Sequence, residues 1–189
     1  MTRTTWHNCQ PIDLHRLARN WFIDARRIEL QKLAVELGIS RATAYRWAGS
    51  AEALVGEVLA SLVDESFQQI VQRTTSHGSA KVLEVLETGM RYAHTFKPLQ
   101  QFLARDPQTA LKLVASKHGP VQRRTMANLE RLMREEVAAG HMSLPVDAGV
   151  MAFALTRITE SFLYSDLITD TKLDLKNASR ILHLMLKDT

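Results

Sequence analysis

The stretch SRATAYRW, residues 40–47, gathers two arginines, a threonine and a tyrosine within eight residues. Arginines such as Arg41 and Arg46 pair with a guanine edge at two points, and the hydroxyls of Thr43 and Tyr45 can reach phosphate oxygens. That chemistry needs a short rigid rod, and the flanking residues supply one. Leu33, Ala34 and Leu37 are apolar at helical spacing. Gly38 ends that helix, because glycine enters the left-handed turn conformation without steric cost. Ile39 tucks under the turn, and Ser40 is a good N-cap for a second helix opening at Arg41. Gly49 ends this helix and Ser50 caps a third. Two short helices joined by a glycine turn make a helix-turn-helix, whose second helix fits the major groove of double-stranded DNA. The expected DNA contacts are Arg41, Thr43, Tyr45 and Arg46 with their neighbours Ser40, Ala42 and Trp47. Arg26 and Arg27 lie just upstream, where they either clamp a phosphate or sit in water. An ordinary helical hairpin with a solvated basic face is the alternative reading.

The charge distribution bears on that choice. Residues 1–50 hold eight Lys and Arg against four acids, which accounts for the whole formal net charge of +4, and the remainder is balanced. A basic first quarter on a neutral body points to contact with a polyanion through that quarter alone. The length of 189 residues fits one large or two small domains, and a hydrophobic content of 46% is enough for a proper core. Cys9 is the one cysteine, so no intrachain disulfide forms and a reducing compartment fits. No apolar run reaches the ~18–20 residues of a membrane span. There is no signal-peptide stretch either, so the expectation is a cytoplasmic protein with no membrane contact.

In chain order, residues 1–10 read as an arm. His7, Cys9 and His15 do not follow a zinc spacing, so no metal is expected. Pro11 and Asp13 open a first helix with Leu14, Leu17, Ala18, Trp21, Phe22 and Ala25 on one stripe. The helix from Ser50 is long, apolar every three or four residues to about Arg73, and joins the small N-terminal bundle to the rest. The segment TTSHGS, residues 74–79, reads as a hinge. Helices follow from Ala80, with a stop before Pro98, a short helix around Leu99–Leu103, a start at Asp106-Pro107, and another from Gly119-Pro120 to Gly140. One more runs from Asp147 to about Thr169, and the last from Lys172 to Lys187. There is no β-alternation and no internal repeat, so the expected fold is all-α. Its N-terminal helix-turn-helix domain occupies residues 1–53, and a larger helical domain occupies 54–189.

The last two long helices are apolar on more than one side, and such a helix needs two partners. The expected second partner is the same helix pair of another copy, giving a homodimer through Met151, Leu155, Phe162, Leu175, Ala178, Leu182 and Met185. A single dense core is the alternative. The sequence has no Gly-x-Ser-x-Gly elbow, phosphate loop, His-Glu-x-x-His or dinucleotide glycine pattern, so no enzyme and no cofactor are expected.

The stretch LAVELGISRATAYRWAGSAEALVGEVL resembles the DNA-binding signature of TetR-family transcriptional regulators. The matching positions are Leu33-Ala34, Leu37-Gly38-Ile39-Ser40, Tyr45, Ser50-Ala51-Glu52 and Leu54. Two departures stand out. Ala51 replaces a usual phosphate-contacting lysine, and Trp47-Ala48 stands where His-Phe is common. The late stretch TRITESFLYSDLI is similar to the QsdR-type subgroup, which is linked to lactone signal breakdown. The resemblance implies a homodimeric repressor on a palindromic operator and a small-molecule effector in a C-terminal pocket. Candidates to line that pocket are Met90, Tyr92, Phe96, Phe102, Met126, Phe153, Arg157, Glu160 and Tyr164. Arg157 and Glu160, three apart in an apolar helix, either pair with each other or hold the polar head of a mostly apolar lactone or acyl compound. A helical ligand-binding or scaffolding protein that no longer binds DNA is the competing reading, with Ala51 as its support.

Overall fold

Prolines, glycines and short polar side chains divide the chain where backbone rules place them. The computed structural model describes residues 9–116, 119–169 and 173–187, and every regular element among them is helical. The order is α1 (Pro11–Ile23), α2 (Leu30–Leu37), α3 (Arg41–Ala48), α4 (Ala51–Arg73), α5 (Gly78–Thr95), α6 (Lys97–Arg105), α7 (Pro107–Ala115), α8 (Pro120–Ala138), α9 (Ala148–Leu163), α10 (Ser165–Thr169) and α11 (Leu175–Leu186). Proline stands in the first turn of α1, α6, α7 and α8, where its missing N–H costs nothing. Asp106, Asp147 and Asp174 cap α7, α9 and α11 by accepting backbone N–H groups of Thr109, Gly149 and Asn177. None of the described helices is long and apolar enough to cross a membrane. Met1 to Asn8, most of the expected arm and including His7, lies outside the described residues.

Three boundaries differ from the sequence reading. The helix expected from Ala80 opens at Gly78, inside the segment read as a hinge, and ends at Thr95, before Pro98 as expected. The helix expected to reach Thr169 breaks at Tyr164, where Ser165 Oγ donates to the Phe162 carbonyl at 2.9 Å and competes with the helical ladder. The last helix starts at Leu175 behind its Asp174 cap, and Lys172 is outside the described residues.

The buried side chains form two clusters. One joins α1–α4 through Leu14, Trp21, Phe22, Leu33, Leu37, Ala44 and Val58, and extends to Leu99, Leu103 and Leu113 of α6 and α7. The other joins α5, α8, α9 and α11 through Val82, Met90, Leu129, Met133, Leu155 and Leu182. Helix α4 serves both: Leu54, Val58 and Leu59 lie in the first, while Phe67, Ile70 and Val71 pack on the second. The apolar core therefore continues past residue 53, because α6 and α7 close over the N-terminal bundle.

Candidate nucleic-acid interface and internal cavity

The turn between α2 and α3 is built from local chemistry. Gly38 has φ of 68°. Its N–H donates to the Val35 carbonyl at 3.1 Å, and that of Ile39 to Ala34 at 3.0 Å. This is the paired bonding by which a left-handed residue closes a helix. Ser40 Oγ accepts the Thr43 N–H at 3.0 Å and lies 2.9 Å from Thr43 Oγ1, so both hydroxyls are engaged in starting α3. Ala44 is fully buried and seats α3 on the bundle. Trp47 and Ala48 also pack against the first core. The outer face is left to Arg41, Ala42, Tyr45 and Arg46, all exposed. Of the expected contact set, Trp47 thus turns inward, because it shares the inner stripe of a very short helix with Ala44 and Ala48.

The cations of the first fifty residues divide into two groups. Arg16 pairs with Asp13, Arg19 with Glu65 at 2.5 Å and Lys32 with Glu29 at 2.8 Å. Arg26 lies 3.6 Å over the Trp21 ring and 3.8 Å from Glu36, so its charge is already engaged. Arg27, Arg41 and Arg46 are exposed and have no ion-pair partner among the described residues. Ala51 opens α4 behind Ser50, whose Oγ accepts the Ala53 N–H at 3.0 Å, so the helix start stays capped despite the missing lysine.

The C-terminal helices enclose a cavity of about 170 Å³. Leu59, Leu62, Phe67 and Ile70 of α4 form one wall, and Val85, Met90 and Phe96 of the α5 segment another, with Leu129 of α8 and Thr156, Thr159 and Glu160 of α9 completing it. Met90, Tyr92, Phe96, Glu160 and Tyr164 of the expected lining are on this wall. Phe102, Met126, Phe153 and Arg157 are not. Phe102 makes an edge-on ring contact with Phe22 at 5.9 Å, in the joint between α1 and α6. Phe153 is exposed on the outer side of α9. Arg157 reaches round the outside of the helix to Glu160 at 2.6 Å and the Ala115 carbonyl at 3.4 Å. Burial pushes the Glu160 carboxyl above its ordinary range, with Arg157 and Gln122 pulling it back. Burial, with Glu160 adding to it, also raises the Tyr164 phenol. The sequence reading passed over Thr156 and Thr159, although the run TRITE sets two threonines three apart in an apolar helix.

The expected dimer residues split by depth. Met151, Leu155, Ala178 and Leu182 are buried inside the subunit, while Phe162, Leu175 and Met185 are half-buried against the second core. The first four are thus unable to face a partner. The apolar side chains that α9 and α11 leave exposed are Val150, Phe153, Ile181 and Leu184. The segment read as a hinge is tied down. Gly78 has φ of 61°, and a Cβ there would fall 2.3 Å from the His141 carbonyl oxygen, so only glycine permits the approach. Buried Glu136 accepts the Gly78 N–H at 2.8 Å, Lys81 Nζ at 2.7 Å and His141 Nδ1 at 2.9 Å. His77, Glu136 and His141 hold ligand-type atoms within 4.8 Å of one another. The carboxylate is already committed to these donors, so the cluster acts as a tether between α5 and the end of α8.

The family model described as Tetracyclin repressor-like, C-terminal domain, matches residues 77–187. No curated protein sequence matches the chain. Among solved structures, the chain is similar to the transcriptional repressor QsdR from R. erythropolis, of the TetR family, with 24% identity, 95% of each chain covered and a TM-score of 0.89. It is also similar to the TetR-family repressor AlkX from Dietzia sp. strain DQ12-45-1b, with 16% identity, 94% of each chain and a TM-score of 0.63. Likeness extends to the regulator FadR from Bacillus subtilis, with 11% identity, 95% of this chain and 100% of that one, and a TM-score of 0.55. A helix-turn-helix at the N-terminus and a matched C-terminal family domain together place the chain in the TetR family of transcriptional regulators.

Proposed function

We propose that the chain is a ligand-controlled repressor. Two copies bind a palindromic operator through paired α3 helices, and a small, mostly apolar molecule in the cavity releases them. The observation that carries this reading is the pair Arg41 and Arg46, exposed on a capped helix with no acid among the described residues to neutralise them. Two reading helices must sit ~34–36 Å apart to enter successive major grooves, which makes a dimer necessary. The exposed row Val150, Phe153, Ile181 and Leu184 supports a joint between copies along α9 and α11.

The coupling runs through α4. Its first turns pack in the N-terminal core, and Leu59, Leu62, Phe67 and Ile70 further along form a cavity wall. A second route is the ring series Phe22, Phe96 and Tyr92, with centroids 6.5 and 5.5 Å apart, which links α1 to the cavity. A molecule that fits the cavity better in the splayed dimer than in the DNA-bound one lowers DNA affinity by that difference. The almost wholly apolar lining supports an acyl compound or lactone. AlkX, implicated in n-alkane biodegradation, and FadR, solved with stearoyl-CoA, add support for a lipid-like class.

Selection of bound fragments from the host's genomic DNA, followed by titration in rising salt, tests the reading. Specific fragments with inverted symmetry and a negative slope of affinity against salt are expected, since each phosphate contact releases counterions. A flat salt response, or no preferred fragment, leaves the ligand-binding scaffold as the better account.

A further inference from the structure

The cavity wall spends its hydroxyl groups unevenly. Ser66 and Thr125 line it, but each donates to its own helix, to the Val63 and Val121 carbonyls at 3.0 Å. Thr156 and Thr159 on α9 line the same wall, and the Oγ1 of each is buried with no hydrogen-bond partner among the described residues. Thr156 is only 1% exposed. A buried hydroxyl without a partner is costly, and a native fold that keeps two side by side asks for an explanation. Glu160 follows directly on that wall. Its carboxylate takes Arg157 Nη1 at 2.6 Å and Gln122 Nε2 at 3.2 and 3.3 Å. Arg157 is off the wall and committed to Glu160. Among the described residues that line the cavity, Glu160 is therefore the one charged group, and no Lys, Arg or His accompanies it.

We propose that the cavity selects a molecule with an aliphatic body and a neutral head that both accepts and donates hydrogen bonds, an amide or a hydroxyl, and that it rejects the free carboxylate of the same chain. This rests on the cavity being the effector site. The Oγ1 atoms of Thr156 and Thr159 are closed off in the ligand-free fold, and a χ1 rotation of each brings its O–H to the head's acceptor, while the head's donor reaches Glu160. A carboxylate would enter beside an acid with no cation left to meet it, which is the most costly kind of burial. A head with an acceptor alone satisfies the threonines and leaves Glu160 unused. A purely apolar molecule leaves both hydroxyls as they are. The body has room, since an apolar cavity of about 150 Å³ already admits a benzene ring. Selectivity of this sort is strong because a wrong head leaves buried polar groups unpaired.

The test is calorimetric titration of the full chain with a matched series, octanamide, methyl octanoate and octanoate, at neutral pH. Octanamide should bind at least about tenfold more tightly than octanoate, with methyl octanoate between them, tenfold being roughly the worth of one hydrogen bond to a buried partner. Thr156→Val and Thr159→Val should each weaken octanamide by several-fold to about tenfold. Neither should lower the melting temperature of the ligand-free protein, because each removes an unpaired hydroxyl; a structural hydrogen bond would behave in the opposite way. Glu160→Gln should narrow the gap between octanamide and octanoate. Octanoate binding as tightly as octanamide, or octanamide binding unchanged in both threonine variants, overturns the head-group selectivity while leaving the cavity as the effector site. No binding of any of the three overturns the cavity reading and the proposal together.

Discussion

The α3 surface and the α9 wall of the cavity both carry polar groups without partners among the described residues, but in opposite surroundings. Arg41 and Arg46 stand in water, where an unpaired guanidinium costs nothing because solvent serves it. Thr156 and Thr159 stand away from water, where each unmade hydrogen bond costs about 1–3 kcal/mol and must be offset by packing elsewhere. A reading surface can therefore be left bare by local sequence alone. A sensing surface exists only because helices α4 to α9 together hold it closed.

The comparison breaks most sharply if the two α3 helices do not act as a pair. Phe153→Asp or Leu184→Asp places a charge on the exposed apolar row and should give monomers in sedimentation, with operator affinity falling by more than about a hundredfold. Unchanged mass and affinity would move the dimer joint elsewhere. Next in size, Arg41→Ala and Arg46→Ala should each cost about 1–3 kcal/mol per half-site and relax specificity at one base position. Octanamide titration of the same variants should be unchanged, because neither arginine lines the cavity. If both variants bind operator like the parent, α3 does not read bases.

Glu136 is the contrasting case of a buried polar group with every partner in place. Burial alone would raise its carboxyl, but the Gly78 N–H, Lys81 and His141 hold it down to about 2 from an ordinary 4.5. A group depressed on folding stabilises the native state above the unfolded value and loses that contribution as pH falls. Stability should thus be full above about pH 4.5 and decline towards pH 2. Glu136→Gln should remove on the order of 3 kcal/mol near neutrality and flatten this part of the pH profile, read by denaturant melts across pH. A variant with the parent's acid limb would show that other carboxylates set it.

What the sequence made legible follows the range of each interaction. Gly38, Ser40 and Ser50 act on partners within five residues, so the two helices and their turn could be read, but not the inward side of Trp47. Glu136 meets Gly78 and Lys81 from 58 and 55 residues away, and the loop it fixes read as a hinge. Periodicity tells which side chains leave water, not which of two apolar stripes faces inward. Met151, Leu155, Ala178 and Leu182 therefore read as an interface, when the outward row is Val150, Phe153, Ile181 and Leu184. For the same reason Met90, Phe96 and Glu160 could be picked for the cavity, but Phe102 and Phe153 could not be told apart from them.

The smallest expected effect sharpens the comparison at a single methyl group. Gly89 lies inside α5, where glycine disfavours a helix, and lines the cavity. A Cβ built there meets nothing within 4 Å. No steric reason among the described residues therefore requires the glycine. Gly89→Ala should raise stability by about 0.5–1 kcal/mol from helix propensity alone, read as a higher denaturant midpoint. It should leave operator binding untouched, because α3 packs on the other core through Ala44 and its cations stand in water. If a molecule fills the space beside Gly89, the added methyl group should weaken octanamide measurably while the ligand-free protein gains stability. A gain in stability with no change in octanamide affinity would place the bound chain away from α5, against the α4 and α8 walls.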